Sequence, residues 1–149
     1  MYNNLKEYNF LISLFLILLP LLSIIVLPIY IYYNGIVWQE PMMLIIGWIL
    51  SGLGITVGYH RLFAHRTFKT NFVIEWILML FGSMAIQNTI LSWCSDHRRH
   101  HKKLDTKDDP YSITQGFFHA HMGWIMKNNK HKINGFKVLK KKFSFIFQK

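Results

Sequence analysis

Two stretches of the chain carry no charged side chain, Phe10 to Tyr33 and Met42 to Tyr59. Each is close to the ~20 apolar residues that cross a ~30 Å hydrocarbon core. Neither keeps the polar face of a helix in a soluble domain. The first run is too long for the apolar part of a signal peptide and lacks a small-residue cleavage site. The pattern predicts two transmembrane helices, 10–33 and 42–59, joined by the loop Asn34–Pro41. A third apolar stretch, 72–91, is also long enough to cross, but it contains Glu75, Gln87 and Asn88, with Gly82-Ser83 at its middle. Gly54 and Gly58 stand four apart, a small-xxx-small spacing that permits close helix approach, although glycine is frequent in membrane helices generally.

Charge gives this pattern a direction. Lys6 is the only Lys or Arg before the first span, the loop Asn34–Pro41 has none, and all the others lie at Arg61 or beyond. Positive residues stay on the cytoplasmic side, so both ends of the hairpin should be cytoplasmic. The net charge of +10 suits anionic headgroups of the lipid bilayer, and no nucleic acid partner is expected. A single Cys94 excludes an intramolecular disulfide and a cysteine-based zinc site. The basic tail 127–149, with Phe136, Phe143, Phe145 and Phe147 interleaved, should lie on the membrane surface.

Histidine supplies the candidate chemistry. "HRLFAH" (His60–His65) precedes the third apolar stretch and "DHRRHH" (Asp96–His101) follows it. If 72–91 crossed the bilayer, the two groups would be ~30 Å apart, whereas metal ligands must come within ~2.0–2.3 Å of their ion. A shared metal therefore requires 72–91 to lie in the interface or to re-enter. On a helix His97, His100 and His101, at i, i+3 and i+4, share one face. His60 and His65 are five apart, about 140° round an ideal α-helix, and converge only where the helix ends or bends. Zinc hydrolysis would call for a general base, as in H-E-x-x-H, and neither group contains a glutamate. An all-histidine shell suits a redox metal held for oxygen chemistry. The expected fold is all-α and integral to the membrane: a transmembrane helical hairpin, an interfacial helix, and a cytoplasmic histidine-rich helical region.

"GYHRLFAHRTF" (Gly58–Phe68), Gln87-Asn88, "WCSDHRRHHKKLDTKDDPY" (Trp93–Tyr111) and "GFFHAHMGW" (Gly116–Trp124) closely resemble the membrane-bound fatty-acyl-CoA desaturases of the stearoyl-CoA (Δ9) type. The likeness runs in register from about Gly58 to Trp124. H-x-x-x-x-H alone is weak; the ordered pair of boxes with D-P-Y and H-x-G-W is specific. The resemblance implies two irons in a cytoplasmic site, activation of O2, and removal of two hydrogens from a long acyl chain carried as acyl-CoA or acyl-lipid. Electrons would come from a carrier such as cytochrome b5 or a ferredoxin. Carried across residue by residue, the iron ligands are His60, His65, His97, His100 and His101, and Gln87, Asn88 and Trp93 line or border the substrate tunnel. His121 and Trp124 match an element of structural or substrate-adjacent role, while His119 and His131 are expected to be surface histidines.

Asp105, Asp108 and Asp109 either orient ligand imidazoles or build the turn before Pro110. Family members continue past H-x-G-W with a second transmembrane hairpin and a third histidine box, H-x-x-H-H, and neither follows here before Lys149. Five ligands are too few for two irons. The expectation is a desaturase that is either truncated or split, with the third box on a separate chain in the split case; the alternative is a non-catalytic membrane-embedded remnant.

Overall fold

The computed structural model describes residues 8–127; the tail from residue 128 onward, with His131, lies outside them. The described residues form helices and turns, with one isolated β-bridge between Tyr8 and Lys127.

Helix α1 (Phe10–Asn34) begins where the Asn9 side chain accepts the Ile12 N–H, and it stops at Gly35. Gly35 has φ 72°, a left-handed conformation that glycine adopts without Cβ strain. Helix α2 (Gln39–Leu53) continues without a break into a π-helical segment, Gly54–His65. The continuous helix Gln39–His65 has 27 residues, longer at both ends than the uncharged run 42–59. Both long helices are apolar and long enough to cross a membrane by length and composition.

They do not pack as a hairpin. No Cα of α1 comes within 8 Å of a Cα of α2, and near their connection the Tyr30 hydroxyl donates to the Glu40 carboxylate. The sequence explains the splaying. Helix α1 contains no glycine, so it lacks the small-residue seam that close packing between apolar helices needs. It is fastened at its other end, where the Asn9 N–H donates to the Met126 carbonyl at 2.7 Å.

The glycines of the second helix are taken up by α3 (Phe72–Met84), which is shorter than the apolar stretch 72–91 and is capped by Asn71. Helix α3 runs back antiparallel along α2: Leu78 lies against Gly58, and Gly82 against Gly54 and Tyr59. A Cβ on Gly54 would lie 2.1 Å from the Gly82 backbone nitrogen, and one on Gly82 would lie 2.3 Å from the Tyr59 ring. Only glycine fits at either position. A turn through 85–89, with positive φ at Ile86 and Asn88, reverses the chain into α4 (Ile90–Lys103), capped by Thr89.

Helix α4 then follows the π segment in the same direction. The Cys94 thiol donates to the Tyr59 carbonyl at 3.4 Å, and the Arg98 guanidinium to the carbonyls of Phe63 and Ala64. Both histidine groups thereby arrive at the same end of the bundle. A 3-10 turn (Ile113–Gln115), a second π turn (His119–Gly123) and the short α5 (Trp124–Met126) follow, and α5 places Trp124 and Ile125 in the core. The small core consists of Tyr59, Ala64, Trp93, Cys94, Trp124 and Ile125.

Candidate metal centre

The H-x-x-x-x-H spacing works because the helix that carries it is not an α-helix. In a π-helix the backbone bonds run from i to i+5, so residues five apart stand roughly one above the other. Within the π segment His60 and His65 meet with ring centroids 4.6 Å apart. The segment ends at Arg66, which takes the left-handed conformation at φ 57°. Across from it α4 is ordinary α-helix, and its i, i+4 pair His97 and His101 faces the first pair.

One nitrogen from each of His60, His65, His97 and His101 lies within 4.8 Å of the others, an arrangement able to hold a metal ion. The Nε2 of His97 stands 3.0 Å from the Nε2 of His65 and 3.0 Å from that of His101. These separations are short enough for the nitrogens to share one ion with bonds of about 2.0–2.1 Å. The donor set is chemically suitable for iron, which imidazole serves well. Cys94 plays no part, since its thiol is turned to Tyr59 and burial pushes it up to about 12.

His97 is the anchor of the cluster. Its ring stacks on Trp93, with centroids 4.8 Å apart and planes 17° apart. The Trp93 indole N–H in turn donates to Gln87 Oε1 at 3.0 Å, so the reversing turn sets a ring that sets a candidate ligand. Burial pushes the His97 imidazolium down to about 3, and the neighbouring His60, His101, His65 and His100 add to the effect. A ring that stays neutral keeps a lone pair for a cation.

His100 stands apart from the four. Its Nδ1 lies 2.8 Å from Asp109 Oδ1, and its ring lies against Tyr111 at 5.1 Å. Asp109 is 1% exposed and also accepts the backbone N–H groups of Asp105 and Tyr111, each at 2.9 Å. Burial alone would raise its carboxyl. The Tyr111 N–H, His100 and the Asp105 N–H outweigh burial and hold it below the ordinary aspartate value. Asp109 thus both builds the turn and orients an imidazole, leaving the His100 Nε2 as the free nitrogen. Asp108 instead pairs with Lys103 at 3.6 Å, at the surface, and Asp105 contributes only its backbone.

The three candidate substrate residues separate. Asn88 lines an apolar cavity of about 550 Å³ together with Leu11, Phe15, Tyr59 and Ile125, and its Nδ2 is buried without a partner. Gln87 and Trp93 are not in that wall and act on His97 instead. His119 corrects an expectation. It is buried rather than on the surface, because the second π turn carries it inward, where its Nε2 donates to the Pro110 carbonyl at 3.0 Å. Burial, followed by Lys127, lowers its pKa. His121 is exposed and stacked on Phe117, while Trp124 is buried against Tyr111. Arg98 and Tyr59 carry no mark in the sequence, because nothing in the motif spacing singles out a residue that acts through backbone carbonyls.

Four imidazoles from two adjacent helices, free of thiolate and carboxylate, define this class of protein: helical, with an all-nitrogen candidate metal centre at one end of apolar helices. The fatty acid desaturase family model matches residues 36–148, and the chain belongs to that family. It is 40% identical over 97 residues to an acyl-CoA Delta(11) desaturase of Trichoplusia ni, covering 65% of this chain and 28% of that protein. It is 44% identical over 89 residues to the Delta(9)-fatty-acid desaturase fat-7 of Caenorhabditis elegans, covering 60% and 26%. A probable acyl-CoA desaturase of Schizosaccharomyces pombe is 46% identical over 82 residues, covering 55% and 17%. The chain thus spans less than a third of the length of these relatives.

Proposed function

We propose that this chain carries the first two histidine boxes of a membrane-bound, iron-dependent acyl-CoA desaturase. Such an enzyme introduces a cis double bond, at Δ9 in our reading, into a long saturated acyl chain. The observation that carries the reading is the convergence of His60, His65, His97 and His101 from two helices onto one point. Helices α1 and α2 with the π segment would span the bilayer, α3 would re-enter beside them, and the boxes would face the cytoplasm. Iron held by the four imidazoles would supply oxygen chemistry strong enough to break an unactivated C–H bond, with electrons from a carrier such as cytochrome b5 or a ferredoxin.

The chain's own residues would do three things. The four imidazoles would bind and fix the ion; Gln87 and Trp93 would hold His97 in place; and the cavity lined by Asn88 and Tyr59 would take apolar chain and exclude water, which orients substrate and protects a reactive site. His100, with its Nδ1 on Asp109, would offer Nε2 to a second iron. The remaining ligands of that iron would come from sequence beyond these 149 residues, on the same polypeptide or on a separate chain.

The test is iron content of the purified chain together with lipid analysis. His97→Ala and His101→Ala should each remove the iron, and His100→Ala should spare it. Expressed alone in a desaturase-deficient host, the 149 residues should form no unsaturated lipid, and co-expression with a segment supplying H-x-x-H-H is the condition expected to restore it. Iron content unchanged by His97→Ala would overturn the assignment of the site.

A further inference from the structure

The Arg98 guanidinium reaches from the middle of one histidine helix to the end of the other. Its Nε donates to the Ala64 carbonyl at 3.1 Å and an Nη to the Phe63 carbonyl at 2.9 Å. These two carbonyls immediately precede His65, and Arg98 immediately follows His97. We propose that Arg98 is a positioning residue for the metal centre: it locks the first histidine box in register with the second.

Three features support this role. First, the exit from the π segment leaves the work to a side chain. The N–H groups of Arg66 and Thr67 both go to the Arg61 carbonyl, not to Phe63 or Ala64. A cation at that point also meets the negative end of the helix dipole. Second, a planar fork on two successive carbonyls fixes both the sliding and the rotation of one helix against the other, which a single-point ammonium does not. Third, the separation that matters, 3.0 Å between His65 Nε2 and His97 Nε2, runs across that same helix pair. The Cys94 thiol also donates to the Tyr59 carbonyl across the two helices, but a thiol is a weak donor.

This inference rests on reading the four-histidine cluster as a metal site, so the experiment separates the two. The purified 149-residue chain is titrated with Co2+, whose d–d absorption reports the number and arrangement of nitrogen ligands, and Cys94 alkylation reports whether the helices stay paired. Arg98→Ala should weaken Co2+ binding by about 10–100-fold, the usual loss when the support of a ligand is removed. Its spectrum should shift towards that of His65→Ala while Cys94 stays protected. Arg98→Lys, which keeps the charge but not the fork, should not recover the wild-type spectrum, and Arg61→Ala, an exposed cation on the same segment, should change neither readout.

Wild-type affinity and spectrum in Arg98→Ala, or full rescue by lysine, would overturn the proposal. If Arg98→Ala exposes Cys94, the lysine variant decides. If His97→Ala binds Co2+ as well as wild type, the metal reading itself falls and the proposal with it.

Discussion

Gly52 and Gly54 stand two residues apart on the same helix, and replacing each with alanine should have opposite effects. At Gly52 a new Cβ meets nothing within 4 Å. Alanine there removes the conformational freedom of glycine and should stabilise the chain by about 0.5–1 kcal/mol. At Gly54 the same Cβ would lie 2.1 Å from the Gly82 nitrogen and 2.3 Å from the Phe81 carbonyl carbon. Ordinary contact begins near 3.4 Å, so α3 must move away by more than an ångström, and its backbone has no rotamer to change. Overpacking of this kind costs about 1–3 kcal/mol, and the gain in helix propensity offsets up to about 1 kcal/mol of that. The net expectation for Gly54→Ala is destabilisation by about 1–2 kcal/mol. Thermal unfolding in detergent, followed by the first reaction of Cys94 with a maleimide, measures both variants on one scale. Equal midpoints for Gly52→Ala and Gly54→Ala would refute the close crossing of α2 and α3, and with it the path by which the chain returns to bring the second histidine pair beside the first.

Cys94, buried and with its thiol pushed up to about 12, should resist alkylation in the folded protein and react only on unfolding; ready labelling under native conditions would contradict its packing on Tyr59. Because that background is silent, Ile36→Cys and Lys107→Cys can report topology, and an impermeant reagent should label position 36 and spare 107 in intact cells; efficient labelling of 107 would reverse the proposed orientation. Asp109→Asn should lower stability by about 1–3 kcal/mol at neutral pH, since it disturbs a buried acceptor of three N–H donors. The Asp109 pKa is depressed in the folded state, so its contribution is complete above the unfolded value near 3.8 and fades as pH falls through the folded value. The stability gap between wild type and Asp109→Asn should therefore close only in strong acid, and a gap that closes between pH 7 and 5 would assign it to another group.

Much of the architecture was legible because membrane-length apolar runs and paired glycines leave coarse marks. A metal shared by both histidine groups required the chain between them to return, and in the structure α3 and the 85–89 turn bring the second group beside the first. What the pattern hid was geometry that depends on backbone type. His60 and His65 look divergent at α-helical pitch and converge at π pitch, and His119 turns inward to the Pro110 carbonyl. His97, His100 and His101 share a face by spacing, but the sequence does not say that Asp109 draws the middle one to a different partner. The splaying of α1 from α2 was also not visible, since nothing in two uncharged runs states whether they touch.

The four converging imidazoles all lie between His60 and His101, and the pieces that align them, the glycine crossing, the 85–89 turn and Arg98, lie within the same part of the chain or just before it. A chain folds from its N-terminal side as it is synthesised. The cluster can therefore come together while the ribosome is still adding later residues. An ion captured then would act as a nucleus on which any further histidines are placed, rather than as the last part fitted to a finished protein.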